Sequence, residues 1–300
     1  SFDDLLMRKA VVSGAEVIEG CRISGFIDNN GSVTVAASSG ERYTARFLIG
    51  ADGASGLIGR AFGLSPKESA VSITSEVEYD GGEFRRRFGD GRLFIDFGSI
   101  PYGYGWIFPK KRCLSVGMAG DTVRIGGRIK DYFNAFAGSH EALKGLEVRG
   151  RDGWIVPVYY SGAGPLIKGS VLLAGDTGHL VDPFLGEGIY YAIRTGRAAA
   201  EAVIDCVKGK APDLRPYQDW IERELRPEFM ACEKMSDLIY KHPRLWYSIL
   251  QKEPEIMRRF YGVIRGSESA ESFYGWVRNR IASKPWKVIR RWLAGRLLPS

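Results

Sequence analysis

Two glycine-rich segments carry the residue types best suited to chemistry. In LIGADGASGLIGR (Leu48–Arg60), an apolar run ends in Gly-Ala-Asp-Gly and enters a helix-like stretch. Glycines let a backbone approach a ligand closely, and free N–H groups at a helix start suit an anion. A tight strand-to-helix turn without a ligand accounts for the same residues equally well. In the second segment (Val171–Val203), an apolar run delivers Asp176, a loop containing Pro183 follows, and Gly186-Glu187-Gly188 opens an alanine-rich helix. A carboxylate at a strand end can accept from a sugar hydroxyl. The N–H groups of Gly188 and Ile189, with the positive end of the helix dipole, can face a polarised or anionic group. Ala192, Gly196 and Ala199 are small enough for that helix to pack closely on a sheet or a ligand.

A third segment, Tyr104–Lys110, alternates Tyr104, Trp106 and Phe108 ahead of Pro109 and Lys110. Such a stripe suits the wall of an apolar pocket and suits an ordinary core equally. His179, three residues after Asp176, titrates near neutral pH, so a proton-donor role and a purely structural role both stay open. Asp182 can be a turn residue, Glu187 a charge at a helix N-terminus, and Tyr190 and Tyr191 packing residues. Cys113 reads as a buried thiol rather than a redox centre. The four cysteines (Cys21, Cys113, Cys206, Cys232) are scattered, with no CxxC and no His/Cys cluster, so no metal site is expected.

The elements that must position these residues follow from periodicity. Residues 1–13 read as an amphipathic helix, Ala15–Ile18 and Cys21–Ile27 as short strands, and Asn29-Asn30-Gly31 as a turn. Ser32–Ala37 and Arg42–Ile49 follow as strands, with Phe47-Leu48-Ile49 expected as a buried parallel strand before Gly50. From about Ser69 to Ala119 alternating runs with Gly/Pro punctuation predict an antiparallel sheet: Val71–Val77, Arg92–Phe97 and Cys113–Met118. Residues 129–145 return to helical spacing. Ser170–Ala174 is a short apolar strand and Gly188–Lys208 a long helix. Beyond Pro212 the pattern is helical, broken at Pro243, Pro254 and Pro285. The last stretch, KPWKVIRRWLAGRLL, sets Trp286, Ile289, Trp292, Leu293 and Leu297 along one stripe, with Lys287, Arg290, Arg291 and Arg296 mostly off it. That suits an interfacial membrane helix or a helix packed by its aromatic face.

The 300 residues are 45% hydrophobic and 26% charged, which excludes a disordered chain and supports two compact units. No apolar run reaches the roughly 20 residues of a membrane span. Forty-two basic against 35 acidic residues leave a net charge of +7, which suits anionic partners, but no nucleic-acid motif accompanies it. The scattered cysteines fit reduced thiols in a cytoplasmic protein.

Together the two glycine-rich segments resemble the second and third flavin-binding motifs of FAD-dependent oxidoreductases of the p-hydroxybenzoate hydroxylase type. Within that group, GEGIYYAIRTG (186–196), Tyr104–Lys110 as YxWxFPK, and the opening FDDLLMRKAVVSGAEVIEG are similar to the geranylgeranyl reductase family. The resemblance runs from Ser1 to about Lys208. It departs from the family in two places. The family's GxGxxG unit is expected upstream of Ser1, so the chain reads as a fragment lacking its first βαβ unit. Gly117-Met118-Ala119-Gly120 stands where the family has Gly-x-Gly.

The resemblance implies an α/β protein. A Rossmann-like FAD domain would comprise 1–68 and 169–208, an inserted, mainly antiparallel substrate sheet 69–168, and a helical C-terminal region 209–300. It implies that Asp52 and Gly53 lie near the FAD pyrophosphate, that Asp176 binds the ribityl or pyrophosphate region, and that Pro183, Gly186, Gly188 and Ile189 lie near the isoalloxazine ring. Tyr104, Trp106, Phe108 and Pro109 would line a lipid pocket, with Tyr104 and His179 as candidate proton donors. The implied activity is reduction of C=C bonds in a geranylgeranyl or polyprenyl chain on a lipid, chlorophyll precursor or quinone. Electrons would come from NAD(P)H or a small carrier such as ferredoxin. The expected partners are that prenylated substrate and a membrane surface met by the basic C-terminal helix; the expected site of action is the cytoplasm. The alternatives are an FAD-dependent monooxygenase or halogenase on the same scaffold, and a lipid-binding remnant without flavin.

Overall fold

The computed structural model describes residues 2–29, 31–64, 69–148 and 152–283. The basic stretch with Trp286 and Trp292, and the break at Pro285, lie outside the described residues. Two compact units emerge. One comprises the described residues up to Leu48 together with Gly169–Val171; the other runs from Ile49 to Lys168 and from Leu172 onward.

In the first unit, α1 (Phe2–Val12) forms where the periodicity places a helix. Asp3 and Asp4 in its first turn and Lys9 in its last complement the helix dipole. It buries none of its residues. The strand expected over Ala15–Ile18 does not form: this run is exposed throughout and has no strand partner among the described residues, and an isolated strand leaves its ladder groups unpaired. β1 (Ile23–Asp28), β2 (Val33–Ala37) and β3 (Arg42–Ala45) make an antiparallel sheet in that order. The expected turn joins the first two, where Asp28 pairs with Val33 and the Asn29 N–H donates to the Ser32 carbonyl at 2.8 Å.

Short strands follow along the chain, and then a large sheet that lies wholly in the second unit. β4 (Leu48–Gly50) is followed by the short helix α2 (Leu57–Ala61). Ile49 is 38% exposed rather than buried, since nothing among the described residues covers its side chain fully; β4 is the edge strand of the sheet that it shares with β10 (Ile167–Lys168) and β11 (Val171–Leu173). The large sheet is antiparallel, as the alternation predicts. It contains β5 (Ala70–Glu78), β6 (Phe94–Phe97), β7 (Gly103–Pro109), β8 (Cys113–Asp121) and β9 (Asp152–Val156) in the order β6-β7-β8-β5-β9. Helices α3 (Gly81–Phe88), α4 (Thr122–Ile125) and α5 (Ile129–Ser139) lie in its connections. Ile73, Ile107, Val116 and Met118 share a core with Phe133 and Phe136 of α5. Burying each such side chain contributes about 1.5–3 kcal/mol.

The long helix α6 (Ile189–Val207) matches its predicted bounds within one residue. Beyond it lie α7 (Arg215–Trp220), a π-helical turn, α8 (Arg226–Lys241), α9 (Pro243–Lys252), α10 (Pro254–Ile264) and α11 (Ala270–Ser283). Pro243 and Pro254 break the pattern by starting the next helix, where a missing N–H costs nothing. The Tyr217 hydroxyl of α7 donates to the Leu173 carbonyl at 2.6 Å and ties this region to β11. No helix among the described residues is long and apolar enough to cross a membrane.

Candidate active site

The Asp-Gly turn after β4 is held by a residue that the sequence reading passed over. The Thr177 hydroxyl lies 3.3 Å from an Asp52 carboxylate oxygen and accepts the Gly53 N–H at 2.8 Å. Asp52 also accepts the N–H of Ile58, in the first turn of α2, at 3.0 Å. The turn closes over the carboxylate so tightly that a Cβ at Gly56 would fall 2.1 Å from Asp52 Oδ1. Asp52 therefore organises the turn and still has lone pairs left for a ligand donor.

Asp176 sits in a 3-10 turn (Gly175–Gly178) that β11 delivers. Its carboxylate has no hydrogen-bond partner among the described residues, and burial holds its pKa above the ordinary aspartate range. A Cβ on Gly188 would lie 3.5 Å from Asp176 Oδ1, so the free carboxylate lies beside the start of α6. That start is open: Ile189 is 68% exposed. The Tyr190 N–H donates to the Glu187 carboxylate at 3.1 Å, giving Glu187 the capping part expected of a charge there. The remaining first-turn N–H groups have no partner within the helix.

Between these points runs the loop Pro183–Gly186, and its backbone is almost fully engaged. Buried Asp182 accepts the N–H groups of Phe184 (2.7 Å) and Leu185 (3.2 Å) on its carboxylate. Its own carbonyl takes the Gly186 N–H at 3.0 Å, and its N–H donates to the Glu187 carbonyl at 2.9 Å. Burial pushes the Asp182 carboxyl up, while the Phe184 N–H and the Cys232 thiol pull it down. The thiol is raised in turn, chiefly by its own burial.

The aromatic stripe splits in its surroundings. Tyr104 donates its hydroxyl to the Leu185 carbonyl, and burial, with the charges of Asp182 and Glu187, pushes its pKa up to about 12. Trp106 lies over Gly117, where a Cβ would fall 2.1 Å from its ring, and its indole N–H reaches Ser115 Oγ at 3.4 Å. Phe108 stacks on Trp106 at 6.3 Å between centroids, and Pro109 ends the strand half-buried. His179 is 1% exposed, has φ 53°, and meets the Tyr160 ring edge-on at 5.9 Å. Asp52, Gly53 and Asp176 thus gather around Thr177 and the start of α6, and Tyr104 joins the loop. Trp106, Phe108 and Pro109 continue along β7.

A cavity of about 830 Å³ opens between β6 and helices α8–α11. Phe97, Ile239, Trp246, Phe260 and Phe273 are among its walls, whereas Tyr104, Trp106, Phe108 and Pro109 are not. Two of its wall residues, Phe97 and Phe260, meet the loop or the tyrosines bonded to it. Phe97 lies 6.0 Å from Tyr104 and 6.1 Å from Tyr240, and Phe184 lies 5.9 Å from Phe260. Among the described residues no group of His, Cys, Asp and Glu could hold a metal ion.

Sequence similarity bears on this arrangement. No protein-family model matches the chain. An uncharacterised protein of Methanosarcina barkeri is 30% identical over 278 residues, covering 91% of this chain and 68% of that protein. Digeranylgeranylglycerophospholipid reductase 1 of Methanopyrus kandleri is also 30% identical, covering 79% and 66%. The chain thus spans about two thirds of the length of these relatives. Two solved structures share the fold. A geranylgeranyl bacteriochlorophyll reductase-like protein of Thermoplasma acidophilum has a TM-score of 0.65 at 23% identity, covering 80% of this chain and 62% of its own. The halogenase PltM has a TM-score of 0.64 at 15% identity, covering 91% and 61%. Shared identity along most of the sequence, on a flavoprotein fold, shows that the chain belongs to the geranylgeranyl reductase family of FAD-dependent oxidoreductases.

Proposed function

We propose that the chain carries the FAD site and the apolar-substrate site of a reductase that saturates C=C bonds in a polyprenyl chain. The observation that carries this reading is the contact between an 830 Å³ cavity and the loop that leads to the start of α6: the wall residue Phe260 meets Phe184 of the loop at 5.9 Å, and the wall residue Phe97 meets Tyr104, which is bonded to Leu185, at 6.0 Å. The residues present fit FAD. The Asp176 carboxylate, which has no hydrogen-bond partner among the described residues, is an acceptor suited to hydroxyls of the ribityl chain. The N–H groups and dipole at the start of α6 favour electron density gathered nearby. The Asp52–Thr177 turn presents backbone for the pyrophosphate. These residues would hold FAD, which when bound and reduced would supply the hydride for saturating an alkene.

An isolated alkene has no carbonyl to absorb charge, so rate must come from positioning and from exclusion of water. The cavity meets both needs. Its walls are largely aromatic and aliphatic, and its volume lies within the range of sites that enclose a whole small ligand. A long hydrocarbon laid along α8–α11 would end at Phe97 and Phe260, one ring from the loop. Ile189 and Tyr190, apolar and exposed at the start of α6, would be covered by the flavin.

The test uses protein purified from the complete reading frame that contains this chain. Stoichiometric non-covalent FAD, and a gain of mass in two-hydrogen steps by a geranylgeranyl lipid under reducing conditions, are expected. Oxygen uptake coupled to hydroxylation or halogenation of a substrate would replace the reductase reading with the monooxygenase one. Absence of flavin after reconstitution with excess FAD would replace both with lipid binding alone.

A further inference from the structure

Phe184 and Leu185 have every backbone polar group engaged, and the two carbonyls are engaged by phenols from distant parts of the chain. Tyr240 of α8 donates to the Phe184 carbonyl, and Tyr104 of β7 donates to the Leu185 carbonyl. The matching N–H groups both go to Asp182. Each ring packs in or against the helical core, and each hydroxyl is spent on this one loop. Both also touch Phe97, which lines the cavity, at ring distances of 6.0 and 6.1 Å. Phe184 meets Tyr240 at 5.8 Å and the cavity residue Phe260 at 5.9 Å.

We infer that Tyr104 and Tyr240 are a pair of positioning residues that clamp the Pro183–Gly186 loop and link its setting to occupancy of the cavity. The inference rests on the proposed reading of the site. With both carbonyls turned toward the phenols and both N–H groups toward Asp182, the loop has one setting, and the start of α6 follows from it. An apolar chain entering the cavity meets Phe97, the ring that touches both phenols, and Phe260, the ring that touches Phe184. The phenols stay protonated at assay pH, since burial raises both, so the clamp does not depend on pH. Neither tyrosine gives up its proton in this part; each acts through the loop.

The experiment compares Tyr104→Phe and Tyr240→Phe with Tyr217→Phe in the complete flavoprotein. Tyr217 makes a buried phenol-to-carbonyl bond of the same kind to Leu173, away from the loop, and so controls for plain loss of a hydrogen bond. The probe is phytanol, a saturated C20 isoprenoid alcohol that can fill the cavity but not react. In the wild type and in Tyr217→Phe, phytanol is expected to shift the visible flavin spectrum. In each clamp variant the shift should shrink by at least half, and kcat should fall about tenfold with KM little changed, as misalignment rather than lost binding requires. Tyr104 is only half-buried, so Tyr104→Phe tests the inference alone should Tyr240→Phe not fold. Clamp variants that match Tyr217→Phe in both spectrum and kcat overturn the clamp and leave the flavin reading standing. A wild type that binds no flavin overturns the reading of the site and the clamp with it.

Discussion

Gly56→Ala separates two explanations of the glycines in the Asp-Gly turn. Gly56 has φ −61° and ψ 153°, a conformation open to any residue, so backbone freedom is not why glycine stands there. Space is. An added Cβ falls 2.1 Å from Asp52 Oδ1 and 2.2 Å from Cγ, so the carboxylate must swing away from the Ile58 N–H and the Thr177 hydroxyl. A hydrogen bond to a charged group contributes about 1.5–3 kcal/mol. Asp52 is exposed, so a displaced carboxylate regains water and the loss stays near the lower figure. Crowding adds about 1 kcal/mol, and the stiffer unfolded chain returns about 0.4–1 kcal/mol. The net destabilisation is about 2 kcal/mol. At roughly 2.1 cal/mol/K of unfolding entropy per residue, this lowers the Tm of a chain of this size by about 3 °C. Thermal melts and FAD titrations of the complete protein check it. Gly138→Ala is the control: Gly138 is an exposed residue of α5 with nothing within 4 Å of the added carbon, and it should hold or gain stability. FAD affinity should fall with Gly56→Ala and not with Gly138→Ala. Equal stability and equal FAD affinity in the two variants would refute the steric account of the turn.

Asp176→Asn should leave the flavin-free protein at least as stable as the wild type at neutral pH and weaken FAD binding at least tenfold, as paired melts and titrations would show. Burial raises the folded pKa of Asp176, so wild-type stability relative to the variant should fall as pH rises through the aspartate range and on to the raised folded value. Tyr104, with its pKa pushed up to about 12, should contribute no ionisation to the kcat profile below pH 10; a limb there that vanishes in Tyr104→Phe would contradict its buried bond to Leu185. Leu245→Trp, which intrudes on the cavity, should raise KM for a C20 prenyl substrate about tenfold while leaving the flavin spectrum unchanged; shorter prenyl alcohols should be less affected.

What could be read from the sequence follows the distance over which each feature is built. The Asp-Gly turn and the start of α6 are local: strand, glycines and helix are consecutive, so the residues themselves show that a carboxylate and a helix N-terminus arrive together. The partners that fix them are not local. Thr177 reaches Asp52 across 125 residues, Tyr104 reaches Leu185 across 81, and Tyr240 reaches Phe184 across 56. Only Thr177 carried a signal, as the hydroxyl residue next to Asp176; nothing around Tyr240 distinguishes it from any other helical tyrosine. The cavity was hidden for the same reason, since its walls come from β6 and four helices, and helical periodicity reports which face is apolar but not what lies opposite.

The stripe Tyr104, Trp106, Phe108 shows how a correct alternation can assign the wrong side to the core. Ranking by hydrophobicity would turn the aromatic residues inward and the intervening glycines outward. The reverse holds. Gly103, Gly105 and Ile107 are the buried positions of β7, and the three aromatics are only half-buried. Phe136 of α5 explains the inversion: a Cβ on Gly105 would meet its ring at 3.0 Å, so this face of the strand is already filled from the helix side. Core volume is shared between elements, and a strand can meet its share with glycine when a distant phenylalanine supplies the mass. The aromatics are thereby released to the other face, where Gly117 leaves room for Trp106 and where Tyr104 reaches the loop. Gly105→Ala should therefore disturb α5 packing rather than the loop. Its cost should appear as a lower Tm with an unchanged response of the flavin to phytanol, the opposite signature to Tyr104→Phe on the same strand one residue away.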